Sequence, residues 1–460
     1  MSVYGSTYKA RSMRALTLTL SLLALPAIPL SAWSPSAWAQ DLQQVYRDAK
    51  SYDAQFGAAR HALQAGLEKL PQGRALLLPT IGLSANPTNS RVDTEPHNDS
   101  LPRILRDGRS YGYSISFSQP IYRRQNFLQY SQAELQVKQA EATFGQAGQD
   151  LVVRVAQAYF DVLSARDTVA LVQAQKAAIS EQLAQAKRNF EVGTATITDT
   201  HEAQSRFDLS ASQEILALND VESKTHALQQ LTGKQYSGLR PLRPEVKLTQ
   251  PNPANMQTWV EMAEKQGYPV QIQESAAEIA QLEAKRQAAG HYPTVDLVAS
   301  YGWTSQTASQ LTAVPANVAS GVFGLQIGVP IYQGGAISSR EREAAALYER
   351  TKQDLENARR SQALTARQMY LAVTNGIALV GALEQALVSS QSALDSNKLG
   401  YEVGVRINID VLNSQQQLFA TRRDLAVARY ATIMNHLRLK AAAGSLRDED
   451  IEEVNRALAL

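Results

Sequence analysis

The sequence predicts a mainly α-helical protein with membrane β-strands, built from two copies of one unit that runs helix, strand, strand and long helical hairpin. One observation is a repeated motif: an aromatic-Glu-Val-Gly turn, with an isoleucine and an aspartate a few residues downstream, begins at Phe190 and again at Tyr401. A second is the absence of proline from residues 123–190 and 337–400. The third is an alternation of apolar and small polar residues in four short segments, which is strand spacing.

The repeat extends beyond the turn motif and covers most of the chain. Matching pairs recur at offsets of 210 to 214 residues: Tyr159 with Tyr370, Pro120-Ile121-Tyr122 with Pro330-Ile331-Tyr332, and Pro79-Thr80 with Pro293-Thr294. Two copies favour a pseudo-symmetric molecule rather than a solenoid of many repeats. We therefore predict a first repeat over residues 40–238, a linker over 239–256, and a second repeat over 257–460.

Residues 1–39 are predicted to be a secretory signal peptide. Three basic residues precede an apolar run over residues 15–30, and Ala37-Trp38-Ala39 supplies a small-x-small cleavage pattern. Pro26 and Pro29 argue against a membrane anchor, since that helix would have to cross about 30 Å of hydrocarbon. Removal of the signal peptide takes away three of the 45 basic residues and none of the 43 acidic ones. The mature chain is therefore nearly neutral, and no nucleic acid partner is expected.

The residue patterns that enzymes use are not found in this sequence. It has no cysteine, which excludes disulfides, thiolate metal sites and a lipidated N-terminal cysteine. Its six histidines lack metal-ligand spacing, and neither a phosphate-binding glycine loop nor a Gly-x-Ser-x-Gly elbow occurs. We therefore expect a protein that is not an enzyme and that has no metal and no cofactor.

The first repeat is predicted to open with a helix and to continue into two strands. Apolar and small polar residues alternate over about residues 79–86 and 111–119, which predicts a strand in each segment. Residues 86–110 between them are rich in Asn, Asp, Pro and Arg, which predicts a solvated loop.

The second repeat shows the same alternation over about residues 294–304 and 321–330. One face of each strand is apolar or aromatic and the other carries Ser, Gly or Gln, as in a membrane barrel. A soluble sandwich with the same alternation is the alternative. Because single-chain barrels start at about eight strands, four membrane strands require several subunits to share one barrel. No stretch after the signal peptide reads as a membrane helix.

Very long helices are predicted between the strands and the glycine turns. The proline-free stretch from Arg123 to Phe190 would reach about 100 Å as one helix. Apolar residues recur in it at steps of three and four, the pattern of a coiled-coil seam, so these helices are expected to pack lengthwise on neighbours. Gly193 and Gly404 are predicted to end them in left-handed turns. Asp199 and Asp410 then lie where a helix dipole favours a carboxylate, so capping alone would explain both.

The order of these motifs resembles that of the TolC family of outer-membrane channel-tunnels. The resemblance rests on Leu78-Pro79 and Tyr292-Pro293 before the strand pairs, on the Pro-Ile-Tyr segments after them, and on the duplicated glycine turn with its aspartate. It covers nearly the whole mature chain, and it implies that residues 239–256 and the C-terminal part of the chain form a mixed equatorial region. It implies an outer-membrane homotrimer in which four strands per subunit complete one barrel, continued by a helical tunnel across the periplasm. It also implies two partners, a periplasmic adaptor protein and an inner-membrane transporter of ABC or proton-driven type.

The resemblance further implies a gate at the periplasmic end of the tunnel. The polar gate network of the family falls on Thr198, Asp199, Tyr401 and Arg406. An acidic ring at the pore entrance falls on Asp410 and on position 413. Asn413 departs from the pattern, so three subunits would leave a ring of charge about −3, and weaker cation trapping is expected.

Two classes of function remain open. The first is a passive exit duct, serving type I protein secretion or, alternatively, efflux of small molecules. The second is a periplasmic coiled-coil adaptor that does not conduct. An adaptor would show one helical hairpin between β-domains, whereas this chain repeats the strand pair and the hairpin, so the duplication favours the duct. In lacking a lipidation cysteine, this chain resembles the non-acylated members of the family, which serve protein secretion and often efflux too. Of the two kinds of duct, protein secretion is the one we favour.

Overall fold

The computed structural model describes residues 40–98, 100, 102–243, 245–246, 248–307 and 314–459. The predicted signal peptide over residues 1–39 lies outside the described residues. The described part forms two long helical hairpins, an antiparallel sheet from which the two longest helices start, and shorter helices packed along them.

The predicted pair of long helical hairpins is confirmed. The first hairpin consists of α4 (Arg124–Glu191) and α5 (Ile197–Thr232), and the second of α8 (Ala336–Glu402) and α9 (Asn408–Ala442). Helix α4 has 68 residues and α8 has 67, so each extends about 100 Å. The remaining helices are α1 (Leu42–Tyr52), α2 (Ala54–Leu67), α3 (Lys69–Ala75), α6 (Met256–Gln266), α7 (Tyr268–Ala288) and α10 (Asp448–Arg456).

Helix α8 differs from expectation in its hydropathy. It contains an 18-residue window with a mean hydropathy of 1.5, long and apolar enough by composition to cross a membrane, whereas the sequence reading found no such stretch. Only 11% of that window is buried within the chain. An apolar helix surface left uncovered by its own chain is also what lengthwise packing against neighbouring helices requires, so this window alone does not indicate a membrane crossing.

In the described residues, the sheet has four strand positions, and one of them is divided. Its order is β1-β3-β4-β5, all neighbours being antiparallel, and β2 pairs with β3 beyond the end of β1. A break at Asn86-Pro87 therefore separates two segments of the same edge strand. The bounds are β1 (Thr80–Ala85), β2 (Thr88–Thr94), β3 (Ile104–Tyr122), β4 (Thr294–Gln306) and β5 (Ala316–Gly328).

The prediction of a loop over residues 86–110 is wrong for most of that segment. It contains β2 and the first part of β3, which pair as a hairpin. Arg91 and Asp107 are register partners, and the Arg91 Nε atom lies 2.6 Å from the Asp107 Oδ1 atom. Arg103 and Asp93 form a second ion pair across the same hairpin. Cross-strand pairs of opposite charge support a solvated strand pair, a relationship that composition alone does not reveal.

The register of the sheet sorts the side chains into one apolar and one polar face, as the alternation predicts. Ile81, Phe117, Ala299 and Phe323 form one row across the four strand positions. The adjacent row on the opposite face is Gly82, Ser116, Ser300 and Val322. Ile81 and Phe323 are 74% and 78% exposed, so nothing in the described chain covers the apolar face. That arrangement fits a sheet with lipid on one side.

The main hydrophobic core surrounds the middle of α4. Helices α1 and α9 pack on α4 there, and α10 packs on α1. Val45, Phe160 and Leu437 are almost completely buried, and burial of each such side chain contributes about 1.5–3 kcal/mol. The Tyr159 hydroxyl donates to the carbonyl oxygens of Gln40 at 3.2 Å and Arg240 at 2.9 Å. This core ties both ends of the described chain to the two hairpins.

Candidate gate at the ends of the helical hairpins

The turns that join the helices of each hairpin have matching hydrogen bonds. In the first turn, the amide of Gly193 donates to the Phe190 carbonyl at 3.0 Å, and the amide of Thr194 donates to that of Asn189 at 2.8 Å. In the second turn, Gly404 donates to Tyr401 at 3.1 Å and Val405 to Gly400 at 2.9 Å. Gly193 and Gly404 have φ angles of +76° and +79°, which glycine adopts without steric cost.

Asp199 forms a capping box at the start of α5. Its Oδ2 atom accepts from the Thr196 amide at 3.0 Å and from the Thr196 hydroxyl at 2.8 Å, while the Asp199 amide donates to the Thr196 hydroxyl at 3.3 Å. A carboxylate in the first turn also interacts favourably with the helix dipole. Helix capping is therefore one role that the structure gives this residue. Thr198, one residue earlier, is exposed.

Tyr401 and Arg406 lie on either side of the second glycine turn. The Tyr401 hydroxyl accepts a hydrogen bond from the Asn189 side-chain amide at 3.1 Å, which links α8 to α4. The Arg406 Nη1 atom lies 3.6 Å from the Asp410 Oδ2 atom, one helical turn away. The Arg406 side chain is 58% exposed. Such an exposed ion pair contributes about 0.2–1 kcal/mol.

The structure of one chain does not join the two halves of the predicted gate network. Among the described residues, neither Tyr401 nor Arg406 has a hydrogen bond or ion pair with Asp199. Both hydrogen bonds to the Asp199 carboxylate are made by its Oδ2 atom, so its Oδ1 atom retains acceptor capacity. Within the described residues, the ion pair of Arg406 is with Asp410, and its guanidinium donates no side-chain hydrogen bond within 3.5 Å.

The two residues of the predicted entrance ring have different surroundings. Asp410 lies in the first turn of α9 beside Arg406. Asn413, three residues later, accepts a hydrogen bond through its Oδ1 atom from the Arg206 Nη2 atom of α5 at 3.1 Å. The same guanidinium donates to the Gln416 Oε1 atom at 2.5 Å. A cation from the first hairpin thus occupies the neighbourhood in which the family pattern would place a second acid.

Sequence reasoning missed a buried amide pair near this site. The Asn408 Oδ1 atom accepts from the Gln182 Nε2 atom of α4 at 2.6 Å, and the two residues are 1% and 9% exposed. The Asn408 Nδ2 atom also lies 3.4 Å from the backbone carbonyl of Asp199. The signal was the asparagine between Ile407 and Ile409, a polar residue inside an apolar segment.

The two long hairpins and the sheet with one uncovered apolar face form the fold of a membrane channel protein with a helical tunnel. Comparison with known proteins agrees: the family model described as "Outer membrane efflux protein" matches residues 45–234 and 269–445. The outer membrane protein TolC of Vibrio cholerae is 32% identical over 432 residues, covering 93% of this chain and 96% of that protein. The proteases secretion protein PrtF of Dickeya chrysanthemi is 29% identical over 440 residues, covering 94% of each chain.

Solved structures show the same fold at lower sequence identity. The outer membrane protein VceC of Vibrio cholerae superposes with a TM-score of 0.75 at 18% identity, covering 88% of this chain and 96% of that chain. Three relatives whose names refer to efflux are 22% to 27% identical to this chain. The chain belongs to the outer membrane efflux protein family, the family of TolC. It is an outer-membrane channel protein of the secretion and efflux type.

Proposed function

We propose that the chain is one subunit of a homotrimeric exit duct that passively conducts substrate out of the cell. The sheet supports this proposal. It has four strand positions in the described chain, its apolar face is uncovered, and β1 and β5 lie at its edges. Since closed membrane barrels need about eight strands or more, the edges of neighbouring copies must pair. Three copies of the two hairpins then build the tunnel that continues the barrel into the periplasm.

The substrate is proposed to be protein exported by a type I system. The observation that carries this is the relationship to PrtF, which is named for protease secretion and aligns with 94% of each chain, whereas relatives named for efflux are less similar. The partners would be a periplasmic adaptor protein and an inner-membrane transporter. Efflux of small molecules is the second candidate, because efflux proteins share the family.

The four gate residues are proposed to act between subunits. Asp199 keeps a free acceptor atom and Arg406 keeps free donors, and the two lie near the turns of different hairpins. When hairpins of adjacent copies meet at the tunnel end, Arg406 of one copy can reach Asp199 of the next by charge-assisted hydrogen bonds. Thr198 and Tyr401 would complete the contact. Asp410 would face the pore as a ring of three, with Asn413 one turn further in.

Channel formation is tested with the purified mature protein in planar bilayers, together with its oligomeric mass. We expect discrete conductance steps from a trimer and block from one side by divalent or trivalent cations, as a ring of Asp410 would give. A monomer that forms no channels would overturn the duct.

The choice of substrate is tested by deleting the gene in its own host. Fewer proteins in the culture supernatant, with unchanged resistance to toxic small molecules, is the expected result. Increased sensitivity to such molecules with an unchanged set of secreted proteins would favour efflux instead. Restoring the gene on a plasmid controls for effects on neighbouring genes.

A further inference from the structure

A cavity of about 460 Å³ lies where the sheet joins the long helices, at the other end of α4 and α8 from the glycine turns. Its walls include Thr294 and Gly328, which are register partners at the ends of β4 and β5. Thr294 has the same parity along β4 as Asp296, Ser300 and Gly302, so its side chain lies on the polar face of the sheet. Arg123, another wall residue, pairs with Asp296 of that same face, so this wall of the cavity lies on the polar side of the sheet.

The side chains that line this cavity carry a net positive charge. Arg123, Arg124 and Arg340 line it, together with the amides of Gln125, Gln287 and Gln333. Arg123 is neutralised by Asp296, with the Arg123 Nε and Nη2 atoms 2.8 Å and 2.7 Å from the two carboxylate oxygens. Arg124 and Arg340 are exposed, and no ion pair of either is formed within the described residues. None of the described lining residues is acidic.

Two helix ends add to the same field. Helices α4 and α8 both start at this cavity, and neither has an acidic residue in its first turn or a side chain that caps it. Their first amides are thus left without side-chain acceptors, and the helix dipoles place partial positive charge there. The arginine side chains and the helix N-termini therefore both make the electrostatic potential in the cavity more positive.

We propose that this cavity binds a phosphate- or carboxylate-bearing anion on the lumen side of the duct, held by Arg124 and Arg340. Planar guanidinium groups bind both oxyanions through paired, charge-assisted hydrogen bonds, and the glutamine amides supply further donors. Arg123 is fixed by Asp296 and shapes the wall. The proposal rests on the exit duct proposed above, and it gives the barrel end of the lumen an anion site, opposite in sign to the Asp410 ring at the periplasmic end.

Inorganic pyrophosphate is the probe for this site. It is added on the barrel side of trimers in a planar bilayer, so that it reaches the cavity without passing the periplasmic gate. We expect it to lower the single-channel current of the wild type. In the variant Arg124→Gln with Arg340→Gln, the concentration needed should rise about tenfold or more, because each lost charge-assisted bond is a large part of such a binding energy.

The single variant Arg340→Gln has a matched control in Arg342→Gln, which also removes one positive charge from α8. Residue 342 lies two positions beyond Arg340, about 200° around α8, and does not line the cavity. The concentration of pyrophosphate that blocks Arg342→Gln channels should equal that for the wild type. Arg340→Gln alone serves if the double variant does not assemble into trimers.

Each further outcome decides between defined alternatives. If pyrophosphate does not lower the current of wild-type channels, the proposal of an anion site is wrong and the proposal of a duct stands. If no channels form, the proposal of a duct is wrong. Phospholipid bound to the purified trimer is measured by mass spectrometry in parallel. Loss of bound anionic phospholipid in the variants, without any block by pyrophosphate, would identify a lipid headgroup as the anion and overturn the lumen site.

Discussion

Asn408 of α9 accepts a 2.6 Å hydrogen bond from Gln182 of α4, and both side chains are buried between the two hairpins. Leu183 and Ala186 of α4 and Leu412 of α9 form an apolar cluster beside this pair. The amide pair therefore lies where the second hairpin packs on the first, close to the turns that are proposed to form the gate. Buried polar pairs of this kind favour one alignment of helices, since any shift leaves both groups unsatisfied.

Replacing one member of this pair should weaken the attachment of the hairpins. In Asn408→Leu the Gln182 amide loses its acceptor while buried, which costs about 1–3 kcal/mol. The double variant Asn408→Leu with Gln182→Leu should recover much of that loss, because no polar group then remains unpaired. Amide hydrogen exchange at the start of α9 and the free energy of unfolding of the trimer measure both effects. Equal stability of the wild type and the single variant would contradict this role.

The two turn glycines should be equally sensitive to substitution. Alanine at Gly193 or Gly404 would have to adopt a left-handed conformation, which costs about 1–2 kcal/mol. No atom lies within 4 Å of a Cβ at either position, so the cost comes from the backbone alone. Gly148→Ala is the control, because its Cβ also meets open space but lies in the middle of α4, where alanine should stabilise by about 0.5–1 kcal/mol. Thermal unfolding measures these differences. Equal unfolding temperatures for all three alanine variants would contradict the prediction.

The proposed gate predicts a larger conductance when its contacts are removed. Tyr401→Phe combined with Arg406→Ser deletes the hydroxyl that accepts from Asn189 and the guanidinium beside Asp410. Exposed contacts of about 0.2–1 kcal/mol in each of three subunits would change the open population roughly three- to hundredfold. Single-channel recording measures this change.

A control for the gate variant exists on the same helix. Tyr348→Phe with Arg350→Ser removes the same groups from α8 far from its turn, and its conductance should stay at the wild-type value. If intact trimers of the gate variant also conduct like the wild type, the gate assignment fails.

The stability of the helical part should depend on pH through Glu283. Hydrogen bonds from Arg286 at 2.7 Å and 2.8 Å, and from Gln132 of α4 and Gln287, lower the pKa of Glu283 from 4.5 to about 2. Because the folded pKa is below the unfolded one, the stabilisation is present above pH 4.5 and is lost as the pH falls toward about 2.

Glu283→Gln should remove that part of the pH dependence. Its free energy of unfolding should fall less steeply than that of the wild type between pH 4.5 and about 2. The exposed Glu278 lies on the same helix, and Glu278→Gln should leave the slope unchanged. Parallel pH profiles for the wild type and Glu283→Gln would show that the hydrogen bonds of this carboxylate do not stabilise the fold.

The sequence by itself determined the duplication, the proline-free lengths of α4 and α8, the alternating faces of the strands and the two glycine turns. Each of these is a periodic or local property, repeated at two, three or four residues or at a fixed offset, so it can be read along one dimension. The residues of the candidate gate came from motif positions and from the family resemblance.

Only the tertiary structure decided which distant residues meet. Asn408 and Gln182 are 226 positions apart. Arg91 and Asp107 are partners in a strand pair that lies within a segment predicted to be a loop. The cavity with Arg124 and Arg340 gathers residues from both repeats. Such contacts depend on how whole helices and strands pack, which the spacing of residues within one segment does not specify.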